Sequence, residues 1–195
     1  MDYKFHRRNL PHIYGELGIY FLTYHLANSI PLVILQKLKS EQSDPTTNPK
    51  SKRVFQKYDN LLDSGEFGIK YLSDPKIAEV VKKTIHFTDG KDYKLICYCI
   101  MPNHVHLVFE LLEGNKGISK IMQSMKRISA RESNTLLKRD GKFWQDESFD
   151  RLVRNNKELE LIIRYVLLNS VKAGLVKKWN QWKNTYCHPD YICVM

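Results

Sequence analysis

Apolar and polar positions along the 195-residue chain fall into separable patterns. Ile19 to Leu26 is rich in aromatic and branched residues, and predicts a central strand after a turn at Gly15 to Gly18. Two apolar runs, Leu95–Met101 and Val105–Leu112, flank Pro102-Asn103 and predict a β-hairpin. Between these strands, Asp74 is a good N-cap and Pro75 suits the first helical position. Ile77, Val80, Val81, Thr84 and Ile85 then recur at helical spacing, and Asp89-Gly90 ends the segment. A second helix is predicted from about Ser119 to Leu137, with Ile121, Met122, Met125, Ile128 and Ser129 inward. Phe149 to Val153 reads as a short strand. Asn155 with Glu158 three residues on forms a capping box for a third helix, which ends near Lys172 before Gly174. Its inward arc is Leu159, Ile162, Ile163, Val166 and Ser170.

The remaining segments are weaker in pattern. Ile30 to Leu38 is apolar and predicts a helix beyond Pro31. Residues 39–53 are polar and read as a surface loop, and Asp63 to Gly68 as a second loop of turn residues. The order strand, helix, strand, strand, helix, short strand, helix suits an α+β fold. Its expected form is an antiparallel sheet with packed helices, close to a ferredoxin-like split βαβ. Residues 1–195 are expected to form a single domain with a tail at 177–195.

Charge sharpens the reading. Lys and Arg number 31 against 21 Asp and Glu, a formal net charge of +10. A basic chain favours a polyanion such as nucleic acid, although solvated basic faces are common. The four cysteines form no Cys-x-x-Cys and read as buried free thiols suited to the cytoplasm. Cys187-His188 with Cys193 matches no usual zinc spacing. The N-terminus lacks the apolar core of a signal peptide, and no run of ~18 apolar residues predicts a membrane span.

Candidate chemistry concentrates in two places. His104 and His106 are two apart on one strand, so both point to the same face. Val105 and Leu107 take the core face, which leaves the histidines expected on an exposed one. Two neighbouring imidazoles can grip a divalent metal; the plain alternative is a polar strand edge. On the last helix, Tyr165 and Asn169 are one turn apart, with Lys172 near the same flank. A lone helical tyrosine is usually a packing residue.

The stretch Met101-Pro102-Asn103-His104-Val105-His106-Leu107-Val108 resembles the signature strand of the single-tyrosine HUH transposases. Phe143-Trp144-Gln145, Phe149-Asp150-Arg151, Arg154-Asn155 and Tyr165-Val166-x-x-Asn169-x-Val171-Lys172-Ala173-Gly174 resemble the C-terminal half of the REP-associated tyrosine transposases. Ser170 stands where that pattern has proline. The resemblance runs from about Arg7 to Trp182, and implies the ferredoxin-like, RRM-like HUH fold. It implies Tyr165 as a nucleophile that forms a 5′-phosphotyrosine on single-stranded or hairpin DNA. It implies Mg²⁺ or Mn²⁺ at His104 and His106; Asn169, one turn from Tyr165, is placed to add a third ligand through its carbonyl oxygen, and the residues alone equally allow zinc. Arg7, Arg8, Lys126, Arg127, Arg131 and Lys172 are candidates for a DNA groove, and Trp144 or Trp179 for base stacking or core packing. A monomer or a homodimer is compatible with the chain. Two rival readings remain: a non-catalytic DNA-binding descendant, and a metal-dependent hydrolase.

Overall fold

The computed structural model describes residues 4–7, 11–14, 17–31, 33–34, 49–64, 67–146 and 148–194. The expected turn at 15–18 and helix at 30–38 fall largely outside them. Strand β1 (Lys4–Arg7) pairs with β2 (Pro11–Tyr14) as a small hairpin. The main sheet contains β3 (Gly18–His25), β4 (Tyr93–Ile100), β5 (His104–Leu111), β6 (Phe149–Leu152) and β7 (Thr185–Cys187). Its order is β6-β3-β5-β4-β7, antiparallel throughout. The first four strands in that order are the expected ferredoxin-like arrangement. β7 extends it on the β4 edge, so the tail is partly sheet rather than only a tail.

Four helices lie among the described residues: α1 (Pro49–Ser64), α2 (Pro75–Thr88), α3 (Ile118–Leu136) and α4 (Asn156–Lys172). The expected signals start and stop α2 and α4. Asp74 accepts a hydrogen bond from the Lys76 amide at 2.8 Å. Asn155 accepts from the Glu158 amide at 2.9 Å. Gly174, with φ 69°, takes the left-handed conformation that closes α4 cheaply. The reading of 39–53 as loop fails from residue 49, where α1 begins. Residues 49–53 carry no apolar side chain before Val54, so the first turns of the helix read as loop, while further on Tyr58 and Leu62 are buried and Leu61 half-buried.

Sheet sidedness decides where the site falls. One face carries Tyr20, Leu22, Tyr24, Val105, Leu107 and Phe109 and is packed by α2 and α3. We call it face A. Face B carries Phe21, Ile96, Cys97, Cys99 and Val108 and is packed by α4 through Leu159, Ile162, Ile163, Val166 and Leu167. A bulge between Leu95 and Cys97 turns Ile96 and Cys97 both toward face B. Each aliphatic side chain of α4 contributes about 1.5–3 kcal/mol on burial, enough to seat that helix firmly. Trp144 belongs to face A, where its Nε1 donates to Ser129 Oγ at 2.9 Å. It is therefore a core residue and not a base-stacking platform. Trp179 packs half-buried against the face B core.

Candidate metal and nucleophile site

His104 and His106 begin β5 and both point to face B, as their spacing predicts. They are not exposed: each has 0% accessible surface. The sheet is covered on both faces, and at this end α1 and α4 close over the pair. Cys97, Cys99 and Cys187 are buried and reduced, while Cys193 is exposed.

Hydrogen-bond partners assign both imidazole tautomers. Asn103 Nδ2 donates to the Leu62 carbonyl at 3.1 Å, which turns Asn103 Oδ1 toward His104 Nδ1 at 2.7 Å. His104 Nδ1 therefore carries the proton. His106 Nε2 receives Asn169 Nδ2 at 3.1 Å, and its Nδ1 meets Thr23 Oγ1 at 2.8 Å. That proton also sits on Nδ1. His104 Nε2 is left with a lone pair and lies 3.0 Å from His106 Nε2, whose own lone pair accepts from Asn169. Two acceptors at that distance repel unless positive charge lies beside them.

Helix α1 brings two carboxylates to the same place. Asp59 Oδ1 lies 3.7 Å from His106 Nε2, and Asp63 Oδ1 lies 3.4 Å from His104 Nε2. Ligand atoms of Asp59, His104 and His106 all lie within 4.8 Å of one another. Asp59 Oδ1, Asp63 Oδ1 and Asn169 Oδ1 are buried without a hydrogen-bond partner. Burial, reinforced by Asp63, pushes the Asp59 carboxyl up to about 8, against a smaller opposing pull from Lys172. Burial, with His104 and Lys172, holds His106 well below the usual histidine range. The distances alone would suggest ion pairs, but with the acid raised and the base lowered both partners are neutral. Low dielectric favours that neutral form in the absence of a cation. Two imidazole nitrogens and unpaired carboxylate and amide oxygens form a donor set that fits a divalent cation.

Tyr165 borders this cluster. Its ring is edge-on to His106 at 5.5 Å and to Phe21 at 6.1 Å. Asn169 Nδ2 approaches its hydroxyl at 3.4 Å, and Lys172 Nζ lies 5.4 Å from the ring centroid. His104, His106, Tyr165, Asn169 and Lys172 thus meet at one place.

The other basic candidates do not. Lys126, Arg127 and Arg131 lie on α3, which packs face A, across the sheet from the histidines. Lys126 Nζ donates to the carbonyls of Gln145 and Asp146 at 2.9 and 3.1 Å. Arg131 is exposed beside Glu132 at 4.0 Å. Arg7 closes β1, and Arg8 lies outside the described residues.

Sequence reasoning missed Asp59 and Asp63. The signal was present: Tyr58 with Leu62 and Asp59 with Asp63 are both four apart, which puts each pair on one helical flank. Thr23 and Asn103, which orient the imidazoles, lie among apolar or turn residues and gave no signal.

Comparison with known proteins follows the same residues. The family model described as Transposase IS200 like matches residues 69–169, just over half of the chain. A REP-associated tyrosine transposase of Escherichia coli K12 is 25% identical over 100 residues, covering 51% of this chain and 58% of the relative. A Haemophilus influenzae protein, provisionally described in the same terms, is 25% identical over 107 residues, 50% of this chain and 61% of its own. The chain therefore matches about three-fifths of the length of these curated relatives. A solved REP-associated tyrosine transposase bound to a REP hairpin superposes with a TM-score of 0.52 at 17% identity, covering 86% of this chain and 75% of that one. That likeness establishes the shared fold. The family match covers α2, the histidine hairpin, α3 and α4 as far as Asn169, and on it this chain belongs to the IS200-like transposase family.

Proposed function

We propose that this protein cuts and rejoins single-stranded DNA through a covalent bond to Tyr165. The observation that carries the reading is the two Nε2 atoms 3.0 Å apart beside unpaired carboxylate and amide oxygens, next to a tyrosine. His104 and His106 would hold the divalent cation with Asp59 and, through its carbonyl oxygen, Asn169. A half-turn of the Asn169 amide exchanges its two ends. Bound there, a divalent cation would supply Lewis-acid polarisation of a phosphodiester oxygen. Two imidazoles favour Mn²⁺ over Mg²⁺, which prefers an oxygen shell.

A phenol is a weak nucleophile at neutral pH, with an ordinary pKa of about 10. Lys172, over the ring, is the group that steadies a developing phenolate. Tyr165 Oη forms the new P–O bond and gives its proton to solvent. The P–O3′ bond breaks, and the departing 3′ oxygen takes up a proton. The product is a 5′-phosphotyrosine with a free 3′ hydroxyl. Phosphodiester energy is conserved, so another 3′ end can reverse the step without ATP. A single strand displayed beside a hairpin is the proposed substrate, with Lys172, Arg7 and Arg8 as proposed phosphate contacts. Buried free thiols suit a cytoplasmic setting.

Tyr165→Phe tests the assignment. It removes one hydroxyl and keeps the ring contacts to His106 and Phe21. With 5′- and 3′-labelled oligonucleotides on denaturing gels, wild type should retain only the fragment 3′ of the cut. The variant should bind Mn²⁺ and DNA normally and form no adduct. An adduct in Tyr165→Phe moves the nucleophile elsewhere; cutting by wild type with no adduct at all supports a hydrolase.

A further inference from the structure

Beside the tyrosine the charge of the chain becomes one-sided. Acids number 21 in 195 residues, yet none lies between Glu160 and Asp190. The same span carries Arg164, Lys172, Lys177, Lys178 and Lys183. All five are exposed, and none forms an ion pair with a described residue. Elsewhere the cations are matched: Lys94, Lys116, Lys142 and Arg151 each sit on a carboxylate.

The segment that carries these lysines is fixed at both ends of the site. It starts at Lys172, whose Nζ lies 5.4 Å from the Tyr165 ring centroid. Trp179 and Trp182 then pack half-buried against the face B core. Trp182 Nε1 donates to the Ile100 carbonyl at 2.9 Å, and the Ile100 amide donates to the Asn184 carbonyl at 2.8 Å. Ile100 pairs with Val105, which stands between the two histidines. At the far end Lys82 of α2 donates to the Lys183 carbonyl at 2.8 Å and adds a further positive charge. Fixed lysines without acid partners repel one another and build a positive potential, which a row of phosphates relieves with release of their counterions. The indoles are only partly covered and stand between the lysines. Such faces suit unpaired bases, whereas a duplex keeps its base faces stacked inside.

Resting on the proposed function, we propose that residues 172–183 form a track for the unpaired DNA that flanks the scissile phosphate. Lys172 meets the strand beside Tyr165, and Lys177, Lys178 and Lys183 each hold one further phosphate. Trp179 and Trp182 keep the track rigid, so the flanking strand stays in register with Tyr165 between cutting and rejoining.

Lys177→Gln with Lys178→Gln and Lys183→Gln removes three charges from exposed side chains. Fluorescence anisotropy with a mixed-sequence single-stranded oligonucleotide measures binding by the full chain across a KCl series. Divalent metal is left out, so neither cutting nor adduct enters. Lys120→Gln with Arg127→Gln and Arg131→Gln, on α3 across the sheet, removes the same charge and controls for net charge. The track variant should lose at least tenfold in affinity. Its slope of log affinity against log salt should fall by about 2, at ~0.7 for each contact on a single strand. The α3 variant should move that slope by less than half as much. Equal changes in both variants, or none in the track variant, overturn the proposal. If the triple variant does not fold, Lys177→Gln with Lys178→Gln should still lower the slope by about 1.4, and an unchanged slope overturns the track. A blunt duplex of the same sequence that binds wild type more tightly than the single strand overturns the assignment to unpaired DNA. Adduct formation with Mn²⁺ is scored separately. Wild type that forms no adduct ends the proposed function, while the metal-free slopes still decide the track.

Discussion

The two faces of the sheet are built on opposite terms. On face A, the large buried polar side chains find partners, although Ser133 Oγ on α3 has none. Trp144 Nε1 donates to Ser129 Oγ, and the Tyr93 hydroxyl donates to the Ile85 carbonyl at 2.6 Å. At the histidine end of face B, oxygens of Asp59, Asp63 and Asn169 are buried and unpaired around two imidazole nitrogens 3.0 Å apart. An unsatisfied buried polar group costs about 1–3 kcal/mol. The histidine end of face B therefore spends stability on a cluster of unpaired groups that a cation would complete.

The contrast breaks most sharply at β5, where alternate residues serve opposite faces. Leu107→Ala opens a cavity in face A and should lower stability by about 2–5 kcal/mol, measured by urea unfolding, with Mn²⁺ affinity unchanged once folded. His104→Gln with His106→Gln should do the reverse. Stability should change by less than about 1.5 kcal/mol, while Mn²⁺ binding by calorimetry and adduct formation should each fall at least a hundredfold. If Leu107→Ala abolishes Mn²⁺ binding in the folded protein, the faces are coupled and the division fails.

Titration sharpens the comparison in the metal-free protein. Burial lowers His25 to about 3 and His106 well below its usual range. Both remain neutral in the fold, whereas the unfolded chain protonates them near pH ~6.5. Their contribution is present above that value and is lost as pH falls below it. Asp59 has the opposite sign. Its folded value, up to about 8, lies above the unfolded value of about 3.9. Its contribution is full below pH ~3.9 and is lost as pH rises toward 8. Asp59→Asn should remove that alkaline loss, so at pH 8.5 the metal-free variant should melt above wild type. One pKa unit is about 1.4 kcal/mol, and 1 kcal/mol is roughly 2–4 °C in Tm for a chain of this size. Saturating Mn²⁺ should reverse the order, because a cation replaces the proton on Asp59. A variant that melts lower than wild type at pH 8.5 without metal removes Asp59 from the acid role.

Much of face A was legible because its residues obey simple periods. Ile77, Val80, Val81, Thr84 and Ile85 repeat at helical spacing, and all are buried. The histidine hairpin and the cap of α4 were legible for the same reason. What stayed hidden depends on tertiary contact. The first residues of α1, 49–53, are polar and read as loop, and its two acids acquire meaning only beside β5. The burial of the histidines was equally invisible: Val105 and Leu107 face one core, and nothing in β5 announces a second layer. β7 is three residues long and pairs only because β4 offers it an edge.

The smallest expected effects lie on α3, and they test whether face A touches DNA at all. Lys126 has its ammonium on the Gln145 and Asp146 carbonyls, tying the segment after Trp144 to the helix. A charged hydrogen bond is worth about 1.5–3 kcal/mol when buried and less when half-exposed. Lys126→Ala should therefore cost about 1 kcal/mol, roughly 2–4 °C in Tm. Arg127 and Arg131 are exposed on the outer surface of α3 and should change stability by less than about 0.5 kcal/mol when both are replaced by alanine. Lys172→Ala, at the start of the proposed track, removes one phosphate contact on face B. It should weaken single-stranded DNA binding several-fold and reduce the slope of log affinity against log salt by about 0.7, the value for one contact on a single strand. Arg127→Ala with Arg131→Ala should move that slope by less than half as much. If instead the α3 pair reduces the slope by two contacts and Lys172→Ala leaves it unchanged, DNA runs over the helices of face A. The histidine end of face B would then be a metal site without a strand to cut.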